Sequence, residues 1–132
     1  MNVLCLLQGD GPFQAGLRGC LQAIADGAIV EYCASLNSLL FRLRYHACRP
    51  ETVVLLEADL ELLDQLIEYR ELFSDIPMVL LVADEDESAL AKGHLLRPRF
   101  MTSLDGDPKS VKDVLCNLLQ RQRQENQLTH QC

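Results

Sequence analysis

The chain has 132 residues, of which 48 % are apolar and 5 % aromatic with no tryptophan, and it carries a formal net charge of -7. This length fits one domain with room for a sizeable core. The acidic balance argues against a nucleic-acid surface, which needs clustered Lys and Arg, and the scarcity of aromatics argues against base-stacking platforms.

The six cysteines, Cys5, Cys20, Cys33, Cys48, Cys116 and Cys132, include no C-x-x-C pair, so zinc-site spacing is absent. Most sit in apolar runs and read as small core side chains in a reducing, cytoplasmic setting. Val3-Leu4-Cys5-Leu6-Leu7 is too short for a secretory leader and lacks a basic flank. No apolar run approaches the roughly 18 residues of a membrane span.

Asn2 to Leu7 reads as a short strand. Gln8-Gly9-Asp10-Gly11 forms a loop, and Pro12 is suited to a first helical position. Phe13, Leu17, Cys20, Leu21 and Ile24 then recur at helical spacing up to a stop at Gly27. Ala28 to Cys33 is the second strand. Ser35 caps a helix carrying Leu36, Leu39, Leu40 and Leu43, which ends before Pro50.

Thr52-Val53-Val54-Leu55-Leu56 follows without polar alternation, as a strand buried on both faces does, and leads into Glu57-Ala58-Asp59. Leu60 to Phe73 reads as one helix. Met78 to Ala83 is a second wholly apolar strand. The acidic turn Asp84 to Glu87 is either a cation-binding run or, as such runs more often are, a solvated helix start, and the helix Ser88 to Leu96 is expected to be interrupted at Gly93. Arg99 to Ser103 is a fifth strand, and Asp105-Gly106-Asp107-Pro108 turns into a last amphipathic helix. Beyond 120 the apolar stripe fades. The expected division is a domain over 1–120 and a polar helix extension or linker over 121–132.

Strands alternating with helices imply an α/β three-layer sandwich with a parallel sheet, for which the flavodoxin-like order 2-1-3-4-5 is economical at this length. In such sheets sites lie at the carboxyl ends of the strands, where Glu57 and Asp59 fall.

Leu55-Leu56-Glu57, Pro77-Met78-Val79-Leu80-Leu81-Val82-Ala83 and Phe100-Met101-Thr102-Ser103-Leu104, in this element order, resemble the landmarks of a response-regulator receiver domain (CheY-like) over roughly 2–120. The resemblance implies a phosphate-accepting Asp at Glu57 and magnesium acids at Gln8 and Gly9, with Asp10 nearby. It also implies a switch hydroxyl at Val82 and a phosphoryl-pairing Lys at Ser103. None of those groups stands there. Phosphoryl transfer rests on positioning and charge neutralisation, so a degenerate receiver that is not an enzyme and needs no cofactor or metal is expected. Glu57 is either a built-in mimic of the phosphorylated state or a strand-end acid facing solvent or capping a loop. Asp59 is either a displaced acceptor or a loop residue.

The resemblance further implies a dimer face on the fourth helix, fifth strand and fifth helix, including Leu90, Leu95, Arg97, Arg99, Phe100, Met101 and Lys112. It implies a homodimer joined to an output domain or partner protein, as in the N-terminal domain of a bacterial transcription regulator of the sigma-54 activator kind. Direct nucleic-acid or membrane contact is not expected. The alternative is a stand-alone adaptor or small-ligand sensor using the degenerate acidic pocket.

Overall fold

A computed structural model describes residues 2–24, 29–45, 52–83 and 86–129, with the backbone alone described for Tyr45 and 122–129. The stop expected at Gly27, the strand start at Ala28, the Pro50 break, Asp84 and Glu85 of the acidic turn, His46, His130, Cys48 and Cys132 lie outside these residues.

Apolar runs and breakers set the element order: β1 (Asn2–Leu6), α1 (Pro12–Ile24), β2 (Ile29–Tyr32), α2 (Leu36–Tyr45), β3 (Thr52–Ala58), α3 (Leu60–Glu68), β4 (Met78–Val82), α4 (Glu87–Leu95), β5 (Phe100–Ser103) and α5 (Pro108–Thr129). The strands form one parallel sheet in the order β2-β1-β3-β4-β5. This is the CheY-like sandwich expected from the alternation of elements.

The period of two along each strand sorts side chains into two layers. Leu4, Leu6, Val54, Leu56, Leu80 and Val82 face α2, α3 and α4. Val3, Cys5, Val53, Leu55, Val79 and Leu81 face α1 and α5. Every residue of β3 and β4 is buried, which is why these two runs show no polar alternation. Cys5 in β1 and Cys33, the residue after β2, are joined by Cys33 N–H donating to Cys5 O at 2.7 Å. Their side chains nevertheless fall in opposite layers.

Two expectations about the helices need correction. The segment Leu60 to Phe73 is not one helix. It is α3 followed by a 3-10 turn, Arg70–Phe73, and the change comes at Tyr69, with φ -107° and ψ 18°. Phe73 stays buried through this tighter turn, so the apolar spacing conceals the break. Gly93 does not interrupt α4. It is buried inside the helix, where a Cβ would lie 2.6 Å from Met101 Sδ and 3.1 Å from Leu80 Cδ2, so α4 approaches the sheet closely at this point. α5 runs on past position 120 to Thr129, so helix covers 121–129 of the segment expected as a polar helix extension or linker.

Ion pairs on the surface tie neighbouring elements: Lys92 Nζ lies 2.7 Å from Asp64 Oδ1 between α4 and α3, and Arg42 pairs with Glu31 between α2 and β2.

Candidate functional site

The carboxyl ends of β1 and β3 are adjacent, with Leu6 opposite Leu56. Glu57 is the next residue, and its odd position turns it toward the α1 side of the sheet. It is only 5 % exposed. A carboxylate buried to this degree must be hydrogen-bonded to persist. Its Oε1 accepts from Gln8 N–H at 3.2 Å, from Gly9 N–H at 3.4 Å and from Gln14 Nε2 at 3.1 Å. Of the two forms of the strand-end reading of Glu57, facing solvent is therefore corrected, whereas capping a loop matches the geometry: it anchors the β1–α1 loop from inside.

Gln14, absent from the sequence reading, is the third donor. It lies in the first turn of α1 and is itself 5 % exposed. Gly9 and Gly11 make room for its carboxamide. A Cβ on Gly9 would lie 2.9 Å from Gln14 Nε2, and one on Gly11 2.8 Å from Gln14 Oε1. The Gln8-Gly9-Asp10-Gly11 loop thus wraps a neutral amide that presents its N–H to Glu57. Two backbone dipoles and one amide face this anion, with the positive end of the α1 dipole nearby.

The other positions matched to receiver chemistry do not converge on Glu57. Asp10 turns outward, its side chain 94 % exposed and its Oδ1 accepting from Arg18 Nη1 at 3.0 Å. Val82, opposite Ala58, packs in the apolar layer on the α3 and α4 side. Ser103, opposite Val82, has its Oγ accepting from Asp105 N–H at 3.4 Å. Asp59 caps α3: its Oδ1 accepts from Leu62 N–H at 2.8 Å, and its carbonyl accepts from Leu63 N–H at 2.9 Å. Truncating it, as in Asp59→Ala, is expected to lower stability by about 1 kcal/mol in urea unfolding, the usual loss for an N-cap.

Beside the loop, Gln8, Asp59, Glu61, Leu62 and Gln65 enclose a recess of about 110 Å³. Its charged walls are both acids, so a phosphoryl group entering from this side would meet repulsion. Among the described residues no group of three or more His, Cys, Asp or Glu side chains is placed to hold a metal ion. The arrangement can fix a loop and a negative charge. It does not supply the cation, metal acids and hydroxyl that phosphoryl transfer uses.

No protein-family model and no curated protein matches the sequence. Solved structures of similar fold are found. A CheY-like response regulator protein from Mesorhizobium loti is 15 % identical, with a TM-score of 0.65, and the match covers 89 % of this chain and 97 % of that one. A response regulator from Thermotoga maritima is 15 % identical, with a TM-score of 0.63 and coverage of 90 % and 98 %. A CheY-like protein from Pseudomonas aeruginosa PAO1 is 18 % identical, with a TM-score of 0.60 and coverage of 89 % and 92 %. The chain therefore has the fold of CheY-like receiver domains. Among the described residues no helix is long and apolar enough to cross a membrane.

Proposed function

We propose that this chain is a non-catalytic, phosphorylation-independent receiver-like module of a cytoplasmic signalling protein, acting through dimerisation and through contact with an output domain or partner. The observation that carries this reading is the state of Glu57. A negative charge already sits where receivers place their acceptor, and three N–H donors built into the chain satisfy it. Such a site holds one arrangement of the β1–α1 loop without an incoming phosphoryl group.

The proposed dimer face lies on α4, β5 and α5. Leu90 and Leu95 are exposed there, while Phe100 and Met101 are half-buried against the two core layers. Arg97, Arg99 and Lys112 lie close in sequence to Asp105, Asp107 and Asp113. Mixed charge around apolar side chains suits a self-complementary two-fold contact. An N-terminal position in a transcription regulator of the sigma-54 activator kind is in keeping with α5 running on as a helix to Thr129. DNA contact would fall to another domain, because this one is acidic.

The recess beside Gln8, Asp59 and Glu61 favours a second reading, an adaptor that senses a small cationic ligand. Light scattering with and without acetyl phosphate and magnesium, followed by intact-mass analysis, separates the readings. A dimer whose mass is unchanged by the phosphodonor is expected. An unchanged monomer would transfer the assignment to the adaptor, and phosphoryl incorporation would overturn both.

A further inference from the structure

The sheet carries a second recess at its opposite edge, where chain segments enter the N-terminal ends of β4 and β5. It lies between the 3-10 turn Arg70–Phe73 and the last turn of α4 and encloses about 510 Å³. Small-molecule sites commonly measure about 300–1,000 Å³. Leu95 and Leu96 form an apolar wall, and Arg70 and Arg97 line the recess together with His94 and Glu71. Among the described residues neither guanidinium has an ion-pair partner. Two arginines without ion-pair partners among the described residues line one recess on a chain with a net charge of -7.

Arg97 also stands out in its backbone. Its φ of 52° places it in the left-handed region, the one non-glycine residue there among those described. It follows the C-cap Leu96 and closes α4 by donating its N–H to His94 O at 3.1 Å. Glycine makes such an ending without penalty, whereas an L side chain costs about 1 kcal/mol. The second hydrogen bond of a Schellman ending cannot form here, because the next residue, Pro98, has no N–H. Helix termination therefore gives no reason for an arginine at this position. Its place beside Arg70 among the residues that line the recess does.

We propose that this recess binds a small phosphate-bearing organic anion, with Arg70 and Arg97 gripping phosphoryl oxygens and the Leu95–Leu96 wall taking the apolar portion. Guanidinium forks suit phosphate geometry and also stack on flat groups. Two features oppose an anion, the Glu71 carboxylate and the carbonyl end of α4. The carbonyls of Gly93 and His94 are already occupied by the N–H groups of Leu96 and Arg97, and a helix end carries only about half a charge. Two guanidinium charges outweigh these. The site is separate from Glu57 and stands whether or not the reading of that residue holds; it shares Leu95 and Arg97 with the proposed dimer face, so ligand binding and that contact compete.

The test is an amide-shift titration of the isotope-labelled full chain with sodium pyrophosphate, adenosine triphosphate and succinate, all without magnesium. Saturable shifts confined to 70–74 and 93–97 are expected with both phosphate compounds, and stronger binding of the nucleotide is expected from the apolar wall. Arg70→Gln and Arg97→Gly should each weaken binding at least about tenfold, the scale of one lost charge-assisted contact. Arg97→Gly should leave Tm unchanged or higher, because glycine relieves the backbone penalty. Absence of saturable shifts at millimolar probe, unchanged affinity in Arg97→Gly, or equal binding of succinate would overturn the assignment. Equal affinity for pyrophosphate and the nucleotide would overturn the role of the apolar wall.

Discussion

Replacing Glu57 with alanine is expected to lower the unfolding free energy by about 3 kcal/mol, while Glu57→Gln lowers it by only about 1 kcal/mol. The alanine leaves Gln8 N–H, Gly9 N–H and Gln14 Nε2 without their shared acceptor, and Gln14 is buried. Orphaning a buried donor costs about 1–3 kcal/mol, and three donors sharing one acceptor are not additive. Glutamine keeps the shape and can set its amide oxygen where Oε1 sits, so only the charge assistance is lost. Urea unfolding of the two variants measures the pair. Equal losses would mean that the negative charge, rather than the hydrogen-bond pattern, holds the loop. An alanine variant as stable as the parent would remove Glu57 from any anchoring role. Glu57→Gln also separates structure from signal: if it keeps the fold but changes the oligomeric state, the charge itself is what the proposed dimer responds to.

A second large effect is expected in alkaline solution. Cys5 is fully buried in β1, and burial, with a smaller contribution from Cys33, pushes its thiol from an ordinary 9.0 up to about 12. In the unfolded chain the same thiol ionises at its ordinary value. Below pH 9 both states hold the proton and the stability is fully present. Between pH 9 and about 12 only the unfolded state releases the proton, so stability falls as pH rises. Three pH units correspond to a loss of about 4 kcal/mol by linkage. Cys5→Ala should be less stable near neutrality through its cavity, but it should show a shallower decline above pH 9. Burial also raises the pKa of Tyr32 and of Cys33, and the Tyr32 shift includes a smaller contribution from Cys5, so the difference in slope reports Cys5 together with its effect on Tyr32. Parallel slopes would mean that the strand admits water at Cys5.

The fold was legible because β3 and β4 are apolar without alternation, a pattern that only a doubly covered strand makes favourable. The end of α3 was hidden because Leu72 and Phe73 keep their inward phase through the 3-10 turn. Gly93 read as a breaker because a sequence carries no record of how near a neighbouring strand comes, and here Met101 fills the space a Cβ would need. The candidate site was half legible. The position of Glu57 at a strand end followed from the pattern, but its burial did not, because the donors that make burial tolerable lie 43 to 49 residues away in the chain. Gln14 gave one faint signal. It sits beside Phe13 in a first helical turn, just past a loop whose two glycines clear space for a side chain. Arg70 and Arg97 gave none, since their proximity depends on the turn that replaced the end of a helix.

The glycine cradle around Gln14 also constrains anyone who would re-engineer this chain into a phosphoryl acceptor. Restoring an acid at position 9 places its Cβ 2.9 Å from Gln14 Nε2 and 3.6 Å from Glu57 Oε2, so the new side chain displaces the amide and sets a second carboxylate beside the first. Shortening Glu57 to aspartate first withdraws the acceptor from three donors. Replacing Gln14 first strips the buried anion of its side-chain donor. Each single step leads downhill in stability, so building a receiver-type pair of acids at this loop requires several simultaneous substitutions. The loop acts as a ratchet in sequence space.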